Sequence, residues 1–311
     1  MHLFASKTLA NALVIITAIY LTIAILWPQA KLLDSPAFIG LGLLFFCNLS
    51  ACTLKQVMAR PKGPRLGLLV LHLGLVAILM GVGFNYLWGG QGFLHLGVEQ
   101  EKPLVSGMLR NWRGGPLLKQ WDSGYSVKLL NVRIEMKAGK TYLRSGTLEY
   151  RNSQGQRGQR TVSFLQPLKL AGARLWVNER GFAPVLDWGD ELVQWGIQTQ
   201  RHGDRETYRD QMTKPGYNFQ GEFFPGGQDG RQGKLLLKVR GPRDEQTYTL
   251  LPGESFMVGG QRVFWQDTSY WMVFTVTIQP GLPLVWIGSI LIIGGCTWYY
   301  LPLLWKRERD V

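Results

Sequence analysis

Cysteine is scarce in this chain and confined to one kind of segment. Cys47, Cys52 and Cys296 all lie in long apolar runs, and the polar stretch between those runs has none. That stretch holds no disulfide and must fold on its own core. Cys47 and Cys52 are five residues apart, about 140° around a helix, so they do not share a face. Each is expected to be a small buried hydrophobe. No Cys-x-x-Cys occurs, which excludes a thioredoxin-type dithiol, and no Cys-x-x-Cys-His, which excludes covalently attached c-type haem. Gly-x-Ser-x-Gly, a phosphate-binding loop and zinc-ligand spacing are also missing. The chain carries no catalytic constellation of its own.

What it has in quantity is long apolar sequence. Four runs, 9–27, 37–54, 67–88 and 282–305, approach or exceed the ~20 helical residues that a bilayer core of about 30 Å requires. Residues 1–88 therefore read as three transmembrane helices, and 281–311 as a fourth helix with its tail. The first run is too long for the apolar core of a signal peptide, so an uncleaved span is expected. Lys and Arg placement sets the orientation. Lys7 precedes the first run, Lys55, Arg60, Lys62 and Arg65 follow the second, and Lys306, Arg307 and Arg309 follow the fourth. All three clusters fall on one side of four alternating helices. That places both termini in the cytoplasm and the polar segment outside, as in a bacterial inner-membrane protein. The formal charge of +13 is partly these anchors. A basic domain outside the cytoplasm fits anionic lipid or an acidic partner better than nucleic acid.

Residues 89–280 read as one external, mostly-β domain. Alternation is clear in 125–136, where Val127, Leu129, Val132 and Ile134 interleave with Lys128, Asn131, Arg133 and Glu135. Further strands are expected at 142–150, 160–164, 174–178, 192–199, 234–240, 247–251, 261–266 and 270–279. Polar, Gly-rich turns at 152–158 and 225–233 separate some of them, which suggests a sandwich or barrel-like sheet. The charged stretch 200–209, with His202, reads as a loop. Asp187, Asp190 and Glu191 around Trp188 read as a charged loop rather than an acid site.

Histidine is the other scarce residue, and His72 is the only one inside an apolar run. An ionisable side chain there is costly and commonly marks a cavity, a partner or a function. At 100° per residue, Gly67, Gly74 and Gly81 form a seam suited to a neighbouring helix, and His72 lies opposite it. Leu68, Val76, Leu79 and Gly83 share the face of His72, a flat apolar wall. Three readings stand: a hydrogen bond to a backbone carbonyl, a proton relay, or an axial ligand to haem. His72 lies about 7–8 Å along the helix from the cytoplasmic edge, so a ligand held there would come from the cytoplasm. A six-coordinate haem needs a second axial ligand, which this chain's membrane runs do not offer. His95, seven residues beyond the third run, is the second candidate site residue.

Three segments together resemble one family. They are 68–81 (LLVLHLGLVAILMG) with 92–101 (GFLHLGVEQE), then 125–150 (YSVKLLNVRIEMKAGKTYLRSGTLEY), then 279–295 (QPGLPLVWIGSILIIGG). In this order and topology the chain resembles ResB, also called CcsB, of system II cytochrome c biogenesis. The resemblance implies a ResC/CcsA-type membrane partner with a tryptophan-rich haem-binding motif, a motif not found here. It also implies a complex that moves haem b outward and attaches it to apocytochrome c. His72 matches the family's membrane histidine, an axial ligand to haem iron shared with the partner; no other metal site is implied. Covalent attachment would belong to the partner, so the chain would not be an enzyme alone. Where the family often has Asn-x-Pro-Leu, this chain reads Leu165-Gln166-Pro167-Leu168, and its external domain is compact. The alternative is a membrane-anchored scaffold or binding protein that does not touch haem.

Overall fold

The computed structural model describes residues 6–27, 32, 35–59, 64–137, 140–189, 191–202, 205–242 and 244–309. The chain divides into two compact units, one of Met1–Leu87 with Gln279–Val311 and one of Trp88–Ile278.

The first unit is helical: α1 (Lys7–Leu26), α2 (Pro36–Met58), α3 (Pro64–Trp88) and α4 (Leu282–Arg309). Each contains a segment long and apolar enough to cross a membrane: Thr8–Leu26, Pro36–Met58, Arg65–Trp88 and Leu282–Tyr300. This is a multi-pass membrane protein. Ser6 and Ser35 cap α1 and α2 by accepting from the N–H groups of Leu9 and Phe38, and Pro36 opens α2 where its missing N–H costs nothing. Tyr20 joins the two helices, donating to the Leu32 carbonyl at 2.9 Å and stacking on Phe38 with ring centres 5.5 Å apart. Four hydroxyls within the helices bond back by one turn. Thr22, Thr53, Ser289 and Thr297 each donate to the carbonyl four residues earlier, which satisfies the hydroxyl where water is absent.

α3 and α4 meet along glycines on both sides. Gly67, Gly74 and Gly81 of α3 face Gly295 and Gly288 of α4 and Gly281 just before it, seven residues apart in each segment and running in opposite directions. A Cβ on Gly74 would sit 2.7 Å from the Gly288 carbonyl oxygen, and one on Gly288 2.6 Å from the Gly74 carbonyl oxygen. Backbones that close admit no side chain, which is how small residues drive helix association where lipid is as apolar as leucine. Asn85 closes the end of the seam by accepting from the Gly281 N–H at 2.8 Å.

Among the described residues of the second unit every strand ladder is antiparallel, and one 3-10 turn, Ser106–Met108, interrupts the strands. In chain order its strands are β1 (Gly90–Gly97), β2 (Glu101–Val105), β3 (Arg110–Gly114), β4 (Asp122–Lys137), β5 (Lys140–Asn152), β6 (Arg157–Val162), β7 (Leu168–Leu170) and β8 (Ala173–Asp187). There follow β9 (Leu192–Gln194), β10 (Thr199–His202), β11 (Arg205–Lys214), β12 (Tyr217–Phe224), β13 (Lys234–Arg240), β14 (Glu245–Leu250), β15 (Ser255–Val258) and β16 (Gln261–Ile278). The first sheet runs β3-β1-β16-β8-β7, with β15 on β16 and β9 on β8; the second runs β10 through β14 in sequence; the third runs β2-β4-β5-β6. One core joins all three: Leu94, Phe182 and Trp265 from the first, Phe219, Phe223 and Leu237 from the second, Leu129 and Leu148 from the third. This is the form taken by the expected sandwich or barrel-like domain.

Three expectations change. Residues 200–209 are not a loop: they make the β10–β11 hairpin, with Thr199 opposite Tyr208 and His202 opposite Arg205. The strands expected at 261–266 and 270–279 are one, β16, because a bulge between Trp265 and Asp267 carries the pairing to β8 past the polar stretch. Cys47 is exposed rather than buried, in a helix whose apolar residues form a lipid-type surface.

β16 is the central strand. Its residues Tyr270–Phe274 are buried on both faces. Tyr270, Met272 and Phe274 enter the main core, while Trp271 and Val273 pack on the other face with Ala183 and Phe93. The indole of Trp271 fits because its partners across the ladder are glycines, Gly97 on β1 and Gly181 on β8.

Candidate functional site

His72 lies in the first half of α3, half-buried. Its Nδ1 is 2.7 Å from the carbonyl oxygen of Leu68, one turn back. A carbonyl only accepts, so Nδ1 carries the proton and donates. In the neutral ring Nε2 then holds the lone pair, and among the described residues it has no hydrogen-bond partner. That is the arrangement in which imidazole binds a metal, with the second ring nitrogen held by a carbonyl. The expected geometry of the face also stands. α4 covers the glycine seam, about 160° around the helix from His72. Gly83, on the His72 face, has nothing within 4 Å of where a Cβ would sit.

The β-rich unit holds a second site, around His95. β1 places His95 opposite Val273 of β16, next but one to the Gly97–Trp271 pair. The imidazole stacks on the Trp271 indole, ring centres 6.2 Å apart and planes within 8°. Trp271 is fixed in turn, since its N–H donates to the Ile197 carbonyl at 2.9 Å. Over this pair opens a cleft of about 320 Å³, lined also by Lys102, Arg110, Trp195 and Asp210. The Lys102 ammonium donates to the His95 carbonyl at 2.9 Å. Burial, helped by Arg110 and Lys102, pushes the His95 pKa down to about 4, so the ring is neutral at pH 7. Burial, with Arg110 beside it, also lowers Lys102. At the other end of the cleft burial raises Asp210, against the Gln211 N–H, the Trp195 indole and Arg110.

Among the described residues no group of three or more His, Cys, Asp or Glu side chains could hold a metal ion. The side chain of His202 lies outside the described residues, as does Asp190. Asp187 and Glu191 behave as a charged turn. Asp187 accepts from the Gly189 N–H, and Glu191 pairs with Lys214 at 2.6 Å, whose ammonium sits 5.3 Å from the Trp188 ring centre.

Sequence reasoning found His95 but not its neighbours. Lys102, Arg110, Asp210 and Trp271 come from four strands, and only the register between them brings them to one cleft. No family model matches the sequence, and neither does any curated protein.

Proposed function

We propose that this chain is the ResB-like, haem-handling subunit of a membrane cytochrome c synthase complex. The observation that carries it is the His72 imidazole: Nδ1–H donated to Leu68, Nε2 open, on the α3 face turned away from α4. Haem iron would supply a Lewis acid with two axial positions, and the donor set here fits one of them. Leu68 holds the ring in the ligating tautomer and fixes its tilt. Leu68, Val76 and Leu79, with bare Gly83, give the wall an apolar, unobstructed surface against which a macrocycle could lie. The second axial ligand would come from a ResC/CcsA-type partner. On this reading the chain sits in a bacterial inner membrane with its termini in the cytoplasm. Its β-rich unit is periplasmic and receives apocytochrome c or braces the partner.

A second reading has an observation of its own. A histidine that merely bonds its own helix would make the same hydrogen bond to Leu68, and the chain would then be a scaffold that leaves haem alone. One experiment separates the two. The chain is purified from cells that also express a ResC-type partner, as the native sequence, His72→Ala and His72→Gln. Haem handling predicts a six-coordinate absorption spectrum that both substitutions weaken and added imidazole restores in His72→Ala. A haem-free complex, or spectra indifferent to both substitutions, would sink it in favour of the scaffold.

A further inference from the structure

The cleft over His95 and Trp271 has no part in that reading. We infer that it is a binding site for a carboxylate group carried on a small organic or peptide body. Three features of the cleft point there.

The first is unpaired positive charge at one end. Lys102 makes a hydrogen bond to the His95 carbonyl and Arg110 stands near it, yet among the described residues neither has an ion-pair partner within 4 Å. The groups that perturb Lys102 and His95 there are both cations. Lys102 is half-buried and Arg110 exposed; the two like charges repel each other, and an anion placed between them relieves that repulsion. Of the two acids of the lining, Asp210 feels the charge of Arg110 but among the described residues forms no ion pair with it within 4 Å and is bonded to the Gln211 N–H at 2.8 Å, and Glu179 is exposed.

The second is an aromatic wall. The parallel, stacked His95 and Trp271 rings, the indole held by the Ile197 hydrogen bond, offer an uncharged aromatic surface to whatever carries the carboxylate. The neutral imidazole adds a hydrogen bond without adding a third positive charge. The third is size. At about 320 Å³ the cleft is at the small end of ligand sites and admits one ring or two to three peptide units, not a folded domain.

A small free acid and the C-terminal carboxylate of a polypeptide share this chemistry. The test uses the full chain in detergent micelles and reads the His95 Cε1–Hε1 resonance, assigned by its loss in His95→Gln. Benzoate represents the first source and an N-acetylated tripeptide with a free carboxyl the second; benzamide and the tripeptide amide are their uncharged counterparts. Saturable shifts are expected from at least one acid at roughly millimolar concentration. Its amide should bind at least about tenfold more weakly, as should the acid to Arg110→Gln, the loss of one charge-assisted hydrogen bond. Arg113→Gln, on the same strand but outside the cleft, should stay within about twofold. The bound acid should also raise the pH at which His95 titrates, a response that a structural loss cannot mimic. Preference for benzoate or for the peptide identifies the source. The proposal is overturned if neither acid shifts His95 up to about 20 mM. It is equally overturned if acid and amide bind alike, or if Arg113→Gln weakens binding as much as Arg110→Gln.

Discussion

Replacing one glycine of α3 by alanine should have opposite effects at Gly74 and Gly83. Both positions are helix interior, where alanine gains about 1 kcal/mol over glycine from backbone propensity alone. At Gly83 no atom lies within 4 Å of the new carbon, so Gly83→Ala should show that gain undiminished. At Gly74 the carbon would lie 2.7 Å from the Gly288 carbonyl oxygen and 2.8 Å from the Ile292 nitrogen. Ordinary contact is about 3.5 Å. Both obstacles are backbone, so no rotamer change relieves them and α4 must move outward. Overpacking of this kind costs about 1–3 kcal/mol. The propensity gain is common to both variants and cancels in their difference, which should therefore be about 1–3 kcal/mol in favour of Gly83→Ala. The assay is unfolding in mixed micelles with rising dodecyl sulfate, followed by alkylation of Cys296 in a background with Cys47 and Cys52 changed to serine. Equal stability of the two variants, or a more stable Gly74→Ala, would refute the close helix contact.

Other outcomes follow from the β-rich unit. His95 has a folded-state pKa of about 4 against an ordinary 6.5, so the unfolded chain binds more protons between those values. Stability should be full above pH 6.5 and fall as the pH drops toward 4, by about 1 kcal/mol after allowance for partial exposure. His95→Gln should remove that part of the slope when unfolding is compared at pH 7 and pH 5. Gly181→Ala places a carbon 2.6 Å from the Ile197 carbonyl oxygen and against the Trp271 indole. It should cost about 2–3 kcal/mol and change the near-ultraviolet circular dichroism, because the Trp271–Ile197 bond cannot survive. Tyr270 donates to the Asp229 carbonyl at 3.0 Å, which ties down the turn between β12 and β13. Tyr270→Phe should lose about 1 kcal/mol and speed amide exchange at residues 226–233.

The helices were legible because their signal is composition over length, and the glycine seam because seven-residue spacing needs only helix geometry. Strands such as β4 and β13 were legible from alternation: Leu235, Leu237 and Val239 point inward and their neighbours outward. β11 was not, since of residues 206–214 only Tyr208 is fully buried and most of the rest reads as solvated polar sequence. β16 looked interrupted because Gln266, Asp267, Thr268 and Ser269 are polar, although Thr268 is wholly buried. Hydrophobicity does not report a bulge. The cleft was legible only as His95. Lys102 and Arg110 follow His95 closely in sequence, but Asp210 and Trp271 are more than a hundred residues away, and their meeting depends on strand order, which local pattern does not encode.

The pairing of β1 with β16 has a consequence for how the gene can be cut. Gly90 and Ile278 are opposite each other in the ladder, so the first and last strands of the β-rich unit begin and end about 5 Å apart. The helices before and after it are likewise matched residue for residue, from Gly67 with Gly295 to Gly81 with Gly281. The β-rich unit is thus an insertion into a hairpin of two helices, entered and left at neighbouring points. Each piece has ends that a short linker can join. Residues 89–278 can be closed into a circle or grafted elsewhere as a module, and 1–88 fused to 279–311 leaves four helices, with α3 and α4 an uninterrupted hairpin.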